Sequence, residues 1–412
     1  MGRPCLLVLF LAAWAAAGEP DGAIAAAARW VEPRGCASGS FRSRARPVVT
    51  EIEEAWRLEL ARIAAPPVHW DGKGYVVGYE GPNKAVLVAF DLNTGRQIAR
   101  AKLKGYLEGS GLFVWDNMVF VQPTGEQITG YRIQSGSLKP VWIFRGRKYG
   151  DAWRHPRLPV VHDNEVYCNL GFGLARLRPG SNFPVWRVDN FDDLVDPDLS
   201  GRPAIFGRFV FVAAMNVLSS PPFLYLTVYR RSDGKRVAQT VVCQASKRDE
   251  KPYLQLTIAG PTVHIGSAWP LRSTGGLSTH AMVPLRVSDT AVVLGKEVGL
   301  WSYEVPPAHH PGGTVVLSKV DQELRWARYR ERKFYELTRV STQPDLFKDR
   351  VSPTVLGDIV YFGSWAMDIE TREILWRLPF QNVSFPIVPA DGLFLVVEGG
   401  KVLRAFRGRG RK

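Results

Sequence analysis

Cysteine is scarce in this sequence of 412 residues: there are four, Cys5, Cys36, Cys168 and Cys243. No Cys-x-x-Cys pair occurs, and no cysteines and histidines stand at zinc-binding spacing, so packing and not a staple must hold the fold. Long apolar runs are also missing. The one unbroken run, Cys5 to Ala17, stops short of the roughly 20 residues that cross a bilayer, and Glu19 and Asp21 follow it. No stretch of the body is long enough, with helical periodicity, for a βα fold. The seven histidines are scattered, with His309 and His310 the adjacent pair before the turn Pro311-Gly312-Gly313. None stands with a readable carboxylate and nucleophile, so no catalytic residue is assigned. Gly171-Phe172-Gly173 lacks the third glycine and the helix of a phosphate loop and reads as a hairpin.

The first residues have the layout of a secretory signal peptide. Arg3 precedes the apolar run, and Ala15-Ala16-Ala17 offers a small-residue cleavage site. We therefore expect a signal over 1–17 and an exported protein, periplasmic or extracellular, with no transmembrane span. Cys5 comes too early and Cys36 too late to carry a lipid beside that cleavage site. Residues 18–50 are rich in Ala, Gly, Ser and Arg and read as a flexible linker. The body spans 51–407 and a basic tail 408–412. After signal removal Cys36, Cys168 and Cys243 permit one disulfide and one free thiol, with the pairing open.

What the body does have is a repeat at roughly 30 to 50 residue intervals, the range of propellers and arrays. Each copy opens on Pro and an apolar residue. A turn with Asp or Gly follows, then strand-forming runs, a tight turn, and often a strand carrying Trp. Pro353-Thr354-Val355 leads through Gly357-Asp358 to Ile359–Gly363, then Ala366–Thr371 and Ile374–Leu378 around Trp376. Other copies open at Pro67, Phe113, Pro159, Pro203, Tyr253, Pro284 and Pro386, with Ser267 to Tyr335 the least regular part. The openings give eight blades, or seven if the irregular region holds one fewer. The turns use Asp91 to Gly95, Asp233-Gly234 and Asp368, where positive φ is required. Trp56, Trp142, Trp186 and Trp376 each present a surface that one sheet cannot bury alone, so the copies stabilise only by stacking. The last copy lacks its Trp strand, and Ala55-Trp56-Arg57-Leu58 stands unpaired before the first. We expect an all-β propeller of four-stranded antiparallel blades closed by that N-terminal strand.

These repeats resemble the quinoprotein-type, pyrroloquinoline quinone-like repeat over nearly all of 55–407. The turn at Asp91 to Gly95 is kept, but Ala99 stands near the usual Trp, and Arg372 replaces the glycine after Asp368. The resemblance implies one of two classes. One is dehydrogenases that hold the quinone with calcium; the other is non-catalytic scaffolds of outer-membrane assembly, which carry a lipidated cysteine missing here. The chain lacks the adjacent cysteine pair many of those dehydrogenases use and is short for that class. The resemblance therefore implies a monomeric binding or scaffold propeller with no cofactor; the alternative is a quinone- and calcium-dependent dehydrogenase or another propeller enzyme.

The formal charge of +14 points to partners, not to fold. Asp189, Asp192, Asp193, Asp196 and Asp198 match no EF-hand spacing and read as a solvated acidic loop. Basic residues interleave with aromatics at Arg145, Arg147 and Lys148, at Arg325, Arg328, Arg330 and Arg332, and in the tail from Arg404. Export argues against nucleic acid. These segments read either as exposed outer-strand arginines or as a patch for a protein or anionic cell-envelope partner.

Overall fold

The computed structural model describes Val48 and most of residues 51–408; residues 1–47, 190–201, 301–307, 340–350 and 409–412, with several shorter loop segments, lie outside the described part. The signal, nearly all of the linker and the acidic cluster beyond Asp189 therefore fall outside it. The described residues form strands and turns and no helix.

The strands follow one another as antiparallel meanders, built as the repeat dictates. The first comprises Val68–Trp70, Lys73–Tyr79, Ala85–Asp91 and Gln97–Lys102, and the second Gly111–Trp115, Met118–Gln122, Ile128–Gln134 and Ser137–Phe144. The third comprises Arg157–His162, Glu165–Asn169, Gly173–Leu177 and Pro184–Asp189. The fourth, Ala204–Phe206, Phe209–Asn216, Phe223–Arg230 and Arg236–Ala245, continues into the next sheet because Gln244 and Ala245 pair with Arg272 and Leu271. Four-stranded sheets opening at Ala308 and Thr354 follow. The last sheet takes Val388–Ala390, Leu393–Glu398 and Val402–Gly408 from one end of the chain and Ile52–Glu59 from the other. Trp56 thus shares a sheet with Leu393 to Phe406.

One opening is displaced from its expected place. Pro284 lies in the third strand, Gly276–Val287, of the sheet that begins at Leu254–Ala259, and Val292–Leu294 follows as its neighbour. The next opening is Ala308–His310, whose two histidines carry no turn signal of their own. The cause is the length of Thr262–Ser273 and Gly276–Val287, a hairpin that outgrows its own sheet to reach the preceding one. Cys168 and Cys243 are both buried, and no disulfide joins these two.

Second strands such as Phe209–Asn216 are buried along their whole length, because sheets cover them on both faces. Outer strands alternate instead. Their tryptophans explain the repeat: each indole N–H crosses to a carbonyl of another meander or, for Trp376, of the N-terminal segment. Trp56 donates to Leu92 (2.9 Å), Trp142 to Ser181 (2.8 Å), Trp186 to Arg231 (2.7 Å) and Trp376 to Val48 (2.9 Å). Gly95, at φ +69°, and Gly234, at φ +72°, lie under the rings of Trp56 and Trp186, where a Cβ would stand under 3 Å from ring carbons. Asp91 secures its turn by accepting from Thr94 Oγ1 and N and from Asn93 N, which holds its carboxyl below the usual range. Asp368 accepts from Glu370 N and Thr371 N in the same way, with Arg372 at φ +63° in the glycine position.

Inner strands also meet through side chains. Arg202 Nε donates to Pro159 O (3.2 Å) and Thr354 Oγ1 to Ile387 O (2.9 Å). His69, on the first meander, bonds Pro389 O of the last (2.9 Å); a carbonyl only accepts, so Nε2 carries the proton.

Candidate functional site

Strand direction sorts the loops. In an antiparallel meander the first-to-second and third-to-fourth turns share one face, and the connections between meanders lie on the other. Arg145, which is exposed and donates to Gln127 Oε1 (3.0 Å), begins the connection from the second meander to the third. Arg147 and Lys148 follow on its small hairpin, Arg147–Tyr149 with Ala152–Arg154. Arg328 instead pairs with Lys333 at a third-to-fourth turn, so it lies on the opposite face, with Arg325 half-buried on the same strand. Arg330 and Arg332 lie outside the described residues. The tail is neutralised where described: Arg404 pairs with Glu398 and Glu54, and Arg407 with Glu53. Among the described residues, the backbone thus places Arg145 and Arg328 on different faces of their meanders.

On the turn face, at the junction of the third and fourth meanders, lies a cleft of about 550 Å³ lined by Glu165, Tyr167, Arg176, Arg208, Phe209, Arg230, Arg231 and Ser232. It is assembled locally. Arg230 ends the strand Phe223–Arg230 and Arg231 follows it in the turn closed by Asp233 and Gly234; Gly234 N donates to Arg230 O (2.9 Å) and Lys235 N to Asp233 Oδ1 (3.1 Å). Arg231 crosses to the third meander, donating to Tyr167 Oη (3.1 Å) and Asp163 Oδ2 (2.7 Å) and back to Gly207 O (2.9 Å). Tyr167 donates to Glu165 Oε2 (2.8 Å), and Glu165 Oε1 is held by Arg176. Arg176 also donates to Arg231 O (3.0 Å) and Ser232 O (3.2 Å). Arg230 pairs with Asp233 (3.1 Å).

The electrostatics follow from these partners. His162 and Arg231 hold the Asp163 carboxyl well below its usual range. Burial pushes Tyr167 up to about 12, so its phenol stays protonated and donates. Arg176, Arg230 and Arg231 pair with Glu165, Asp233 and Asp163, and the fourth guanidinium of the lining, Arg208, leaves positive charge in excess. Arg208 is exposed on the lining and, among the described residues, forms no ion pair. The arrangement holds its acids saturated and its phenol protonated. It can bind a carboxylate. Asp233 and Gly234 were legible as a turn; the arginines around them were not singled out, although Arg230-Arg231 directly before that turn was the available signal.

A family model described as outer membrane protein assembly factor BamB matches residues 50–266, more than half of the chain. No curated protein matches. Among solved structures, BamB from Moraxella catarrhalis is 10% identical with a TM-score of 0.54, over 88% of this chain and 99% of that one. Quinohemoprotein alcohol dehydrogenase from Comamonas testosteroni is 13% identical with a TM-score of 0.58, over 97% and 84%. The quinohemoprotein alcohol dehydrogenase ADHIIG from Pseudomonas putida HK5 is 12% identical at 0.54, over 93% and 81%. At such identities the likeness is one of fold, the β-propeller, and scaffold and enzyme share it. With the repeat, the sheets and the family match together, the chain belongs to the BamB family of pyrroloquinoline quinone-like repeat propellers.

Proposed function

We propose that this chain is an exported, non-catalytic scaffold that docks an acidic segment of a protein partner in the cleft between its third and fourth meanders. On this reading eight blades close as a ring, with Ile52–Glu59 completing the last sheet and the His69–Pro389 bond joining first to last. The observation that carries the proposal is Arg208, a cation without an ion pair among the described residues, beside guanidiniums that are already oriented by Glu165 and Asp163. Preorganised arginines lose little on meeting a carboxylate, which they grip through paired N–H donors. The family description, an assembly factor, fits the same reading.

The enzyme alternative finds less support. Cys168 and Cys243 are buried in different meanders, so these two do not form the adjacent cysteine pair that many quinone-dependent dehydrogenases use. Binding of a labelled glutamate-rich peptide to the full chain tests the proposal. Affinity should fall steeply with salt, and Arg208→Glu with Arg230→Glu should weaken it at least tenfold, about 1.4 kcal/mol. Peptide binding indifferent to salt and to both variants would sink the cleft as the docking site. Dye reduction after adding pyrroloquinoline quinone and calcium, with alcohols or aldoses, would promote the enzyme.

A further inference from the structure

The face opposite the cleft, where the meanders are connected, carries charge of one sign over the first two meanders. The second-to-third turn of the first meander presents Lys84, and its last strand ends in Lys102 with Lys104 just beyond; all three are exposed. Leu103 N donates to Ala85 O (2.9 Å), so the three lysines flank one hydrogen bond. The last strand of the second meander, Ser137–Phe144, runs beside Gln97–Lys102 and leads to Arg145 on the same face. Among the described residues none of these four cations forms an ion pair, and the nearby acid, Glu80, is already taken by Arg100 (2.8 Å). On the turn face of the first meander the charges are mixed instead: Asp71 pairs with Lys73 (4.0 Å), and Asp91 stands near Arg96.

The connection that follows Arg145 folds into a hairpin of its own, Arg147–Tyr149 with Ala152–Arg154, outside the four-stranded sheets. The register sets Arg147 directly opposite Arg154, and Tyr149, two residues from Arg147, holds a position on the same face of the ribbon. Lys148 and Trp153 oppose one another on the other face. Like charges directly opposed destabilise a strand pair, and a two-stranded ribbon is marginal by itself. Anions beside the arginine pair offset that repulsion. Residues 145–154 hold four cations, Arg145, Arg147, Lys148 and Arg154, against one acid, Asp151, interleaved with Tyr149 and Trp153. Ile143, 40% exposed, adds an apolar side chain just before the end of its strand.

We infer that this face is a docking surface for a bilayer containing anionic phospholipid. Its composition selects that partner. Lysine is depleted at protein interfaces, whereas lysine and arginine serve alike at a surface of anionic headgroups. Tyr and Trp, each with an apolar body and a polar tip, are the residues that settle at headgroup level. The cleft differs on both counts, being built of arginines around bound carboxylates. Each cation near the bilayer strengthens binding about fivefold. Docked this way, the chain turns its connection face to the lipid and leaves the turn face, with the cleft, open to the aqueous side.

The test is sedimentation of the full chain with sucrose-loaded vesicles of phosphatidylcholine, either alone or mixed with phosphatidylglycerol. The chain should sediment with the mixed vesicles, stay in solution with phosphatidylcholine alone, and be released by salt. Lys102→Gln with Lys104→Gln should weaken binding about 25-fold, two charges at about fivefold each. Tyr149→Ser with Trp153→Ser, in a hairpin outside the sheets, should weaken it at least about tenfold with the melting curve unchanged. Arg208→Glu with Arg230→Glu should leave vesicle binding intact; its loss would assign the lipid to the cleft and overturn the inference. The inference also fails if the chain sediments equally with both kinds of vesicle or with neither, or if the lysine and hairpin variants bind as before. Release of the Arg208→Glu, Arg230→Glu chain from mixed vesicles by a glutamate-rich peptide would make this face a protein-docking site and refute it too.

Discussion

Two glycine substitutions separate backbone strain from inter-sheet packing. Gly95 and Gly136 have nearly the same φ, +69° and +72°, in comparable turns. A Cβ at Gly136 meets nothing within 4 Å, whereas one at Gly95 would stand 2.5 Å from Cδ2 and Cε3 of Trp56. Gly136→Ala should therefore cost only the left-handed backbone term, about 1–2 kcal/mol. Gly95→Ala adds the displacement of an indole that is 8% exposed, about 1–3 kcal/mol for overpacking. It also strains the Trp56–Leu92 hydrogen bond, about 1 kcal/mol. The expected totals are about 1–2 kcal/mol for the first variant and about 3–6 kcal/mol for the second. At about 2–4 °C per kcal/mol for a large domain, the second should melt at least about 4 °C below the first. Thermal melts followed by circular dichroism read the stability, and tryptophan emission reports exposure of Trp56. Equal shifts in the two variants would refute the claim that the repeat glycine exists to seat the tryptophan of an adjacent sheet.

Other outcomes follow from the same contacts. Arg372→Gly removes a left-handed strain of about 1–2 kcal/mol against about 0.4–1 kcal/mol lost to a freer unfolded chain, so melting should rise slightly. Trp376→Phe deletes the donor to Val48 O and should cost about 1 kcal/mol in urea unfolding, while deletion through Leu60 removes the whole strand Ile52–Glu59 and should lower the melting temperature sharply. Burial lowers His69 from 6.5 to about 4. The unfolded chain therefore takes up this proton first: the contribution is complete above about pH 6.5 and is lost as pH falls towards 4, roughly 3 kcal/mol in all. His69→Gln should remove that part of the acid dependence when unfolding is compared at pH 7 and 4.5; an unchanged pH slope would show that His69 is not its source.

The fold was legible because the repeat writes its own packing rule. Tryptophan on the outer strand, the Asp turn and a glycine beneath the ring are three residue types forced by one contact, so they recur visibly even at degenerate spacing. The unpaired Trp56 strand could be matched to the last copy for the same reason. The sheet beginning at Leu254 was harder, because Thr262–Ser273 and Gly276–Val287 make a hairpin longer than the repeat, and Pro284 imitates an opening inside it. The cleft was not legible at all. Its members, Asp163, Glu165, Tyr167, Arg176 and Arg231, span two meanders and meet only through strand register, which composition does not reveal. Charge counting pointed instead to Arg147, Lys148 and Arg328, conspicuous in sequence but divided between faces by the meander.

The docking claim is tested most directly by placing a photo-crosslinking amino acid at Ser232, which lines the cleft and is exposed, in the full chain within the cells that make it. The account predicts one discrete adduct to an acidic protein, lost when Arg208→Glu and Arg230→Glu are added. No adduct from Ser232, or one that survives both charge reversals, would contradict it.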